Sequence, residues 1–122
     1  MTPRGAEFDP AALVEKFGGD RDLVADIVRA FLEDCPARLA AIERAVEARD
    51  SHGIERAAHA LKGAAGNLDA SDLVHAAQDL ERMGATNHID DVASAHARVT
   101  AATSTFVGAL RQFESRGVSC AP

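Results

Sequence analysis

The strongest constraint on the fold is a helical repeat near the end of the chain. Residues suited to a packed face recur there at alternating intervals of three and four: Ile89, Val92, His96, Val99, Thr103, Phe106, Leu110 and Phe113. This spacing is typical of a helix that packs at a shallow angle against neighbouring helices. We interpret His96, which lies on this stripe, as a buried and hydrogen-bonded core residue.

The first half of the chain has the start and stop signals of two more helices. Asp9-Pro10 predicts the cap and first turn of a short helix that ends at Gly18-Gly19. Asp20 then caps a longer pattern, which continues to Arg49 and carries Leu23 as the first residue of its apolar stripe. Pro36 predicts a kink in one long helix, although two helices meeting there would also fit.

Two further segments complete the helical pattern. Asp50 or Ser51 caps a helix that is predicted to run to about Leu68, and a turn at residues 69–71 opens another that ends near Gly84. Asn87 is predicted to cap the last helix.

Four sizeable helices with short connections favour an all-α, antiparallel up-down four-helix bundle, with the short N-terminal helix across one end. We expect a single domain over residues 8–115 and flexible termini at residues 1–7 and 116–122.

Composition excludes several classes of function. The 122-residue chain has a formal net charge of −6, which argues against a nucleic-acid partner because phosphate backbones require a basic face. It also has no Trp or Tyr on which bases could stack. No apolar run is long enough to span a bilayer. Cys35 and Cys120 lie far apart and form neither a disulfide framework nor a metal-binding spacing, so we expect a cytoplasmic protein. An acidic bundle without an obvious exposed apolar stripe suggests a monomer.

The third predicted helix contains an unusual histidine. Its core stripe consists of Ile54, Ala58, Leu61, Ala65 and Leu68. At roughly 100° per residue, His59 points about 140° away from that stripe, towards water. Gly63 and Gly66 share this outward face, although each glycine costs about 1 kcal/mol relative to alanine in a helix interior. Gly63, one turn beyond His59, would leave room for another macromolecule to approach the ring.

Charged residues are predicted to lie close to this histidine. Lys62, three residues after His59, could place its ammonium beside a phosphoryl group on the ring. His59 lies about ten residues before Asp69, which is at the centre of the predicted hairpin. Glu81 or Gln78, about as far after Asp69 on the next helix, should therefore lie level with His59. Either side chain could accept a hydrogen bond from one ring nitrogen and leave the other nitrogen as a nucleophile.

The segment Ala58-His59-Ala60-Leu61-Lys62-Gly63-Ala64-Ala65-Gly66-Asn67-Leu68 resembles the signature of the histidine-containing phosphotransfer (HPt) domain of multistep two-component signalling. The resemblance extends over residues 8 to about 85. It includes Phe8-Asp9-Pro10, Gly18-Gly19-Asp20, the run from Phe31 to Leu39, and Leu80-Glu81.

This resemblance implies a phosphorelay, in which His59 accepts a phosphoryl group from the aspartate of one receiver domain and passes it to another. By the same resemblance, Lys62 neutralises the phosphoryl group, Gly63 provides clearance and Glu81 orients the histidine. Such a domain has no ATP site and no metal of its own; Mg²⁺ belongs to the receiver, which is part of a response regulator or a hybrid histidine kinase. Asp69 departs from the family pattern, which has glycine at this turn, but aspartate tolerates a left-handed backbone better than most residues.

Two other functions remain open from the sequence. A fragment of a histidine-kinase dimerisation domain is also helical, but such domains usually have an acidic residue directly after the histidine, where this chain has Ala60. Alternatively, the bundle could bind receiver domains without carrying phosphate. A metal site is not expected, because His52 lies about two turns from His59 on the same face, too far to share an ion without a third ligand.

Overall fold

The structure is a computed structural model that describes the backbone of residues 8–119 and the side chains of residues 8–115. Five helices account for most of this part of the chain: α1 (Pro10–Lys16), α2 (Arg21–Glu47), α3 (Ser51–Asn67), α4 (Ser71–Thr86) and α5 (Val92–Ser119). Residues 8–119 contain no β-strand. The all-α prediction is confirmed.

Helices α2 to α5 form an antiparallel four-helix bundle. Each packs against the next in the chain, α5 closes the ring by packing against α2, and α3 and α4 form the most extensive of these interfaces. Helix α1 packs against α2 and buries Leu13, while Lys16 at its end pairs with Asp69 in the α3–α4 turn. The short helix therefore lies at the end of the bundle where α3 turns into α4, as predicted.

Aromatic rings join the start of the described chain to the bundle. Phe8 makes edge-to-face contacts with Phe106 and Phe113 of α5, with ring centroids 5.9 and 5.4 Å apart. Phe31 of α2 meets Phe106 in the same way at 5.5 Å. These contacts combine apolar burial with the ring geometry that aromatic pairs prefer.

Aspartate side chains begin three of the helices. Asp9, Asp20 and Asp50 each accept a hydrogen bond from the backbone N–H three residues later, at 3.1, 2.9 and 3.0 Å. Asp50 is thus the cap of α3, rather than Ser51. These bonds satisfy backbone donors that have no partner within the helix.

Left-handed residues end the first four helices, at Gly18, Arg49, Asp69 and Asn87. At Asp69, where φ is 56°, the backbone N–H groups of Asp69 and Ala70 bond back to the carbonyls of Gly66 and Ala65. This is the Schellman arrangement that usually contains glycine. Asp69 therefore adopts the left-handed conformation of the turn, as expected from its tolerance of this conformation.

The structure corrects the prediction for Asn87. Asn87 does not cap the last helix: it lies just beyond Thr86 as the left-handed residue that ends α4, with φ 57°. Helix α5 begins five residues later, and the carbonyl of Asp91 accepts the hydrogen bonds of its first turn. Asparagine is suited to both positions, so residue type alone did not distinguish them.

Three other predictions are settled by α2 and α5. Helix α2 is continuous through Pro36, so one long helix is present rather than two. Leu23 is 41% exposed and Val24 is buried in its place. His96 is only half-buried and makes no side-chain hydrogen bond within the described region, because the neighbouring Ala95 occupies the buried position.

The predicted flexible termini largely lie outside the described residues. Residues 1–7 and 120–122 are not described, and of residues 116–119 only the backbone is, as the end of α5. Within the described part, no helix is long and apolar enough to cross a membrane.

Candidate functional site

Helix α3 carries His59 on its exposed face. The five residues of the predicted core stripe are all buried, at 0 to 1% exposure: Ile54, Ala58, Leu61, Ala65 and Leu68. The side chain of His59 is 68% exposed. Helix register therefore has the predicted effect, and the imidazole faces solvent while the opposite face anchors α3 in the bundle.

Glu81 of α4 holds the His59 ring. It follows the buried Leu80 and lies at the edge of the α3–α4 interface, with its side chain 19% exposed. Oε2 of Glu81 lies 2.8 Å from Nδ1 of His59, within hydrogen-bond distance. When Nδ1–H donates to this carboxylate, the lone pair of the neutral ring is on Nε2, which points away from Glu81.

Lys62 binds the other oxygen of the same carboxylate. Its Nζ atom lies 2.6 Å from Oε1 of Glu81, and its side chain is 28% exposed. His59, Glu81 and Lys62 thus form one connected group that spans α3 and α4. The structure brings together the three charged or titratable residues that the sequence placed here.

Electrostatics favour the ionised form of Glu81. Burial by itself would raise the pKa of the Glu81 carboxyl, but the hydrogen bonds and positive charges of Lys62 and His59 outweigh burial and lower the pKa below its usual value. The carboxylate is therefore charged at neutral pH and available as an acceptor for Nδ1–H.

Gln78, the alternative to Glu81, lies exposed on α4, one turn earlier. The hydrogen bond to His59 Nδ1 is made by Glu81. The difference arises from register, since Glu81 directly follows a core position and is drawn into the interface with α3.

Space is open beyond the ring. A Cβ atom built at Gly63 would meet no heavy atom within 4 Å, and the same is true of Gly66. Neither glycine is needed for packing within the described bundle, so their shared face presents bare backbone next to His59. A partner can approach the imidazole from this side without meeting a side chain at either position.

Gly84 is a functionally relevant residue that the sequence interpretation did not identify. A Cβ atom at this position would lie 2.6 Å from the backbone oxygen of Ser51 and 2.6 Å from the backbone nitrogen of Glu55. Gly84 therefore permits the close approach of α4 to α3 that brings Glu81, one turn earlier, to His59. Gly84 follows Leu80 by four residues and so falls on the buried stripe of α4, and this position in the sequence is the signal that indicates a close helix contact.

A shallow depression borders the ring, lined by His52, Glu55, Arg56, His59 and Glu81. His52 and Glu55 face each other within it, with Nδ1 and Oε1 3.7 Å apart. Within residues 8–119, no three His, Cys, Asp or Glu side chains lie close enough together to hold a metal ion.

This geometry is suited to nucleophilic chemistry at an exposed imidazole nitrogen. The ring is oriented by a carboxylate, a cation lies nearby and the approach is open. A family model of the Hpt domain matches residues 26–113, which is most of the chain. The chain belongs to the Hpt domain family.

A solved structure of the same family has a similar fold. Histidine-containing phosphotransfer protein B (HptB) from Pseudomonas aeruginosa PAO1 superposes with a TM-score of 0.82 at 19% sequence identity, covering 90% of this chain and 96% of that one. At this identity the likeness supports the fold of the Hpt domain. No curated protein matches the chain.

Family membership defines the general function. The Hpt domain is a phosphocarrier rather than a classical enzyme, and it exchanges phosphoryl groups with receiver domains in phosphorelay signal transduction. The resemblance found in the sequence is thereby confirmed, and the two alternatives, a kinase dimerisation domain and a binding module that carries no phosphate, are not favoured.

Proposed function

We propose that His59 is the residue that accepts and donates the phosphoryl group. The observation that carries this proposal is the 2.8 Å contact between Nδ1 of an exposed His59 and Oε2 of Glu81. A proton on Nδ1 makes Nε2 the nucleophile and directs it to solvent, where a receiver's aspartyl phosphate can reach it.

The proposed transfer conserves atoms and charge. The Nε2 lone pair attacks phosphorus, the N–P bond forms, and the bond between phosphorus and the aspartyl oxygen breaks, which returns the receiver's aspartate as a carboxylate. The reverse reaction on a second receiver regenerates neutral His59. Glu81 stabilises the positive charge that develops on the ring as Nε2 forms its bond.

Lys62 and Gly63 have supporting roles in this proposal. The ammonium of Lys62 lies close to the ring and contributes positive charge near the phosphoryl group, an effect of about 1 kcal/mol or less at a solvated site. Gly63 leaves the surface one turn beyond His59 open for the receiver.

The remaining chemistry is assigned to the partner. Mg²⁺ in the acidic pocket of a receiver would stabilise charge on the transferring phosphoryl group, so this chain needs no metal and no ATP site of its own. The partners are then receiver domains of response regulators or of a hybrid histidine kinase. We also propose a cytoplasmic monomer, in line with the cysteine usage and the acidic surface.

Transfer from a radiolabelled, phosphorylated receiver tests the proposal. The wild type and His75→Gln, which removes another exposed histidine on α4, should be labelled equally, whereas His59→Gln should stay unlabelled. The label should be labile in acid and stable in alkali, as expected for phosphohistidine. Equal labelling of His59→Gln would remove His59 from the mechanism, and labelling by ATP alone would favour a kinase.

A further inference from the structure

Arg56 lies on the opposite side of His59 from Lys62, one turn earlier in α3. It is exposed and lines the same shallow depression as His59, Glu55 and Glu81. Residues three apart on a helix are surface neighbours, so the long side chain of Arg56 can reach the solvent side of the imidazole. Its guanidinium offers several N–H donors in a planar arrangement that matches phosphate oxygens.

The two cations beside His59 differ in how they are engaged. The ammonium of Lys62 is bound to Glu81 at 2.6 Å. Arg56 takes part in none of the ion pairs formed by the side chains of residues 8–115, while the neighbouring Glu55 faces His52 at 3.7 Å. The positive charge of Arg56 is therefore not balanced by a close carboxylate within the described bundle.

Charge balance favours a role for this arginine once His59 is phosphorylated. The phosphoryl group carries up to two negative charges next to the carboxylate of Glu81, which lies 19% exposed at the interface. The ammonium of Lys62 would then face both anions at once. A second cation is needed to balance the site, and Arg56 is the one that shares the depression with the ring.

We propose that Arg56 binds the phosphoryl group carried on His59 and so stabilises the phosphorylated state. This inference depends on the proposed function, because it requires phosphorylation at His59. The other charged or titratable groups around the ring are His52, Glu55 and Glu81, which line the same depression, and Lys62, which is bound to Glu81.

Chemical phosphorylation tests Arg56 without a receiver. Phosphoramidate, a small phosphoryl donor, would transfer its phosphoryl group to Nε2, forming the N–P bond as its own P–N bond breaks and ammonia leaves. The product of the full chain is then titrated by ³¹P NMR. Arg56→Gln should raise the midpoint of the phosphoryl titration by roughly half a pH unit, since an exposed cation stabilises the dianion only modestly.

Two variants serve as controls. Arg29→Gln removes the same charge from an exposed arginine of α2 that pairs with Asp26, and it should leave the midpoint unchanged. Arg56→Lys keeps the positive charge, so its phosphoryl titration midpoint should stay close to that of the wild type. Equal midpoints for Arg56→Gln and Arg29→Gln would overturn the role of Arg56 but would leave the proposed function of His59 untouched. The His59 signal is the protein ³¹P signal that His59→Gln removes, since other exposed histidines such as His75 can also react with phosphoramidate. If His59→Gln removes no signal, this inference and the proposed function are overturned together.

Discussion

Oε2 of Glu81 on α4 lies 2.8 Å from Nδ1 of His59 on α3, while Oε1 of the same carboxylate binds Lys62 at 2.6 Å. One side chain thus fixes both the orientation of the ring and the position of the nearest ammonium. Lys62 is already paired before any phosphoryl group is present, so its effect on the reaction depends on Glu81.

Removal of the carboxylate should slow phosphotransfer. In Glu81→Ala the ring loses its acceptor, and the proton is no longer held on Nδ1. We expect the transfer rate to fall by about fivefold, the equivalent of one net hydrogen bond of about 1 kcal/mol. Transfer reactions quenched at successive times measure the rate, and ¹⁵N NMR of the imidazole identifies the tautomer.

Glu81→Gln is the conservative counterpart. Its amide oxygen can still accept from Nδ1–H, so we expect a smaller loss of rate and a retained tautomer. A Glu81→Ala protein with the wild-type rate and the wild-type ¹⁵N spectrum would contradict the orienting role of Glu81.

Stability should depend on the ionisation of Glu81. Because Lys62 and His59 lower its pKa in the folded state, the contribution of this carboxylate to stability is fully present above the unfolded-state pKa of about 4.5. It is lost as the pH falls through the lowered folded-state pKa. Urea unfolding of the wild type and of Glu81→Gln at several pH values measures this directly.

The difference between the two proteins should shrink as the pH falls below about 5. Other carboxylates are common to both proteins and cancel in the difference. Parallel stability curves down to the acid transition would show that the ion pair has no net effect on the fold.

Gly63 should show opposite effects on folding and function. In Gly63→Leu the new side chain meets no neighbour within the described bundle at its Cβ, and the helix gains up to about 1 kcal/mol because leucine is a better helix former than glycine. The same side chain obstructs the receiver, so transfer should slow by about tenfold or more. Thermal unfolding and transfer kinetics test the two effects separately.

Gly108 provides the matched control on α5. It is exposed and its Cβ position is equally open, so Gly108→Leu should stabilise the protein similarly and transfer at the wild-type rate. Equal transfer rates for the two leucine variants would argue against clearance at Gly63.

Asp69 is expected to cost the protein some stability. Its φ of 56° is favourable for glycine, and its ion pair with Lys16 is about half exposed on both sides, which makes the pair worth little. Asp69→Gly should therefore stabilise the fold by up to about 1 kcal/mol. Asp69→Ala, which lacks both the conformational freedom of glycine and the ion pair, should destabilise the fold. A denaturant midpoint that is higher for Asp69→Ala than for Asp69→Gly would refute this explanation.

The sequence was sufficient for the number and order of the helices, and it placed Lys62 and either Glu81 or Gln78 near His59. Core stripes at three- and four-residue spacing determine which face of each helix is buried, and the exposed direction of His59 follows from that face. Glu81 could be located because α3 and α4 are joined by a short turn around Asp69, so that counting outward from the turn gives the matching level on each helix.

The sequence was insufficient where one step along a helix changes the environment. The buried positions of α2 run from Val24, not from Leu23, and α5 buries Ala95 rather than His96. In both pairs the larger residue fits the three- and four-residue repeat, but its smaller neighbour is the one that is buried. Close approach of two backbones is likewise a property of the packed pair, so the sequence pattern indicates Gly84 only as the end of a helix.

Gly84→Ala should disturb both the fold and the site. The added Cβ would lie 2.6 Å from backbone atoms of Ser51 and Glu55, and backbone cannot move aside as a flexible side chain can. Overpacking costs about 1–3 kcal/mol, and contacts with backbone atoms place this site towards the upper end of that range, above the gain of up to about 1 kcal/mol from replacing glycine in a helix. Because α4 must move away from α3, Glu81 should lose contact with His59, with slower transfer and a changed ¹⁵N spectrum of the ring. Gly66→Ala on the open face of α3 is the control and should be slightly more stable than the wild type. A Gly84→Ala protein as stable as Gly66→Ala would show that the two helices do not need this close approach.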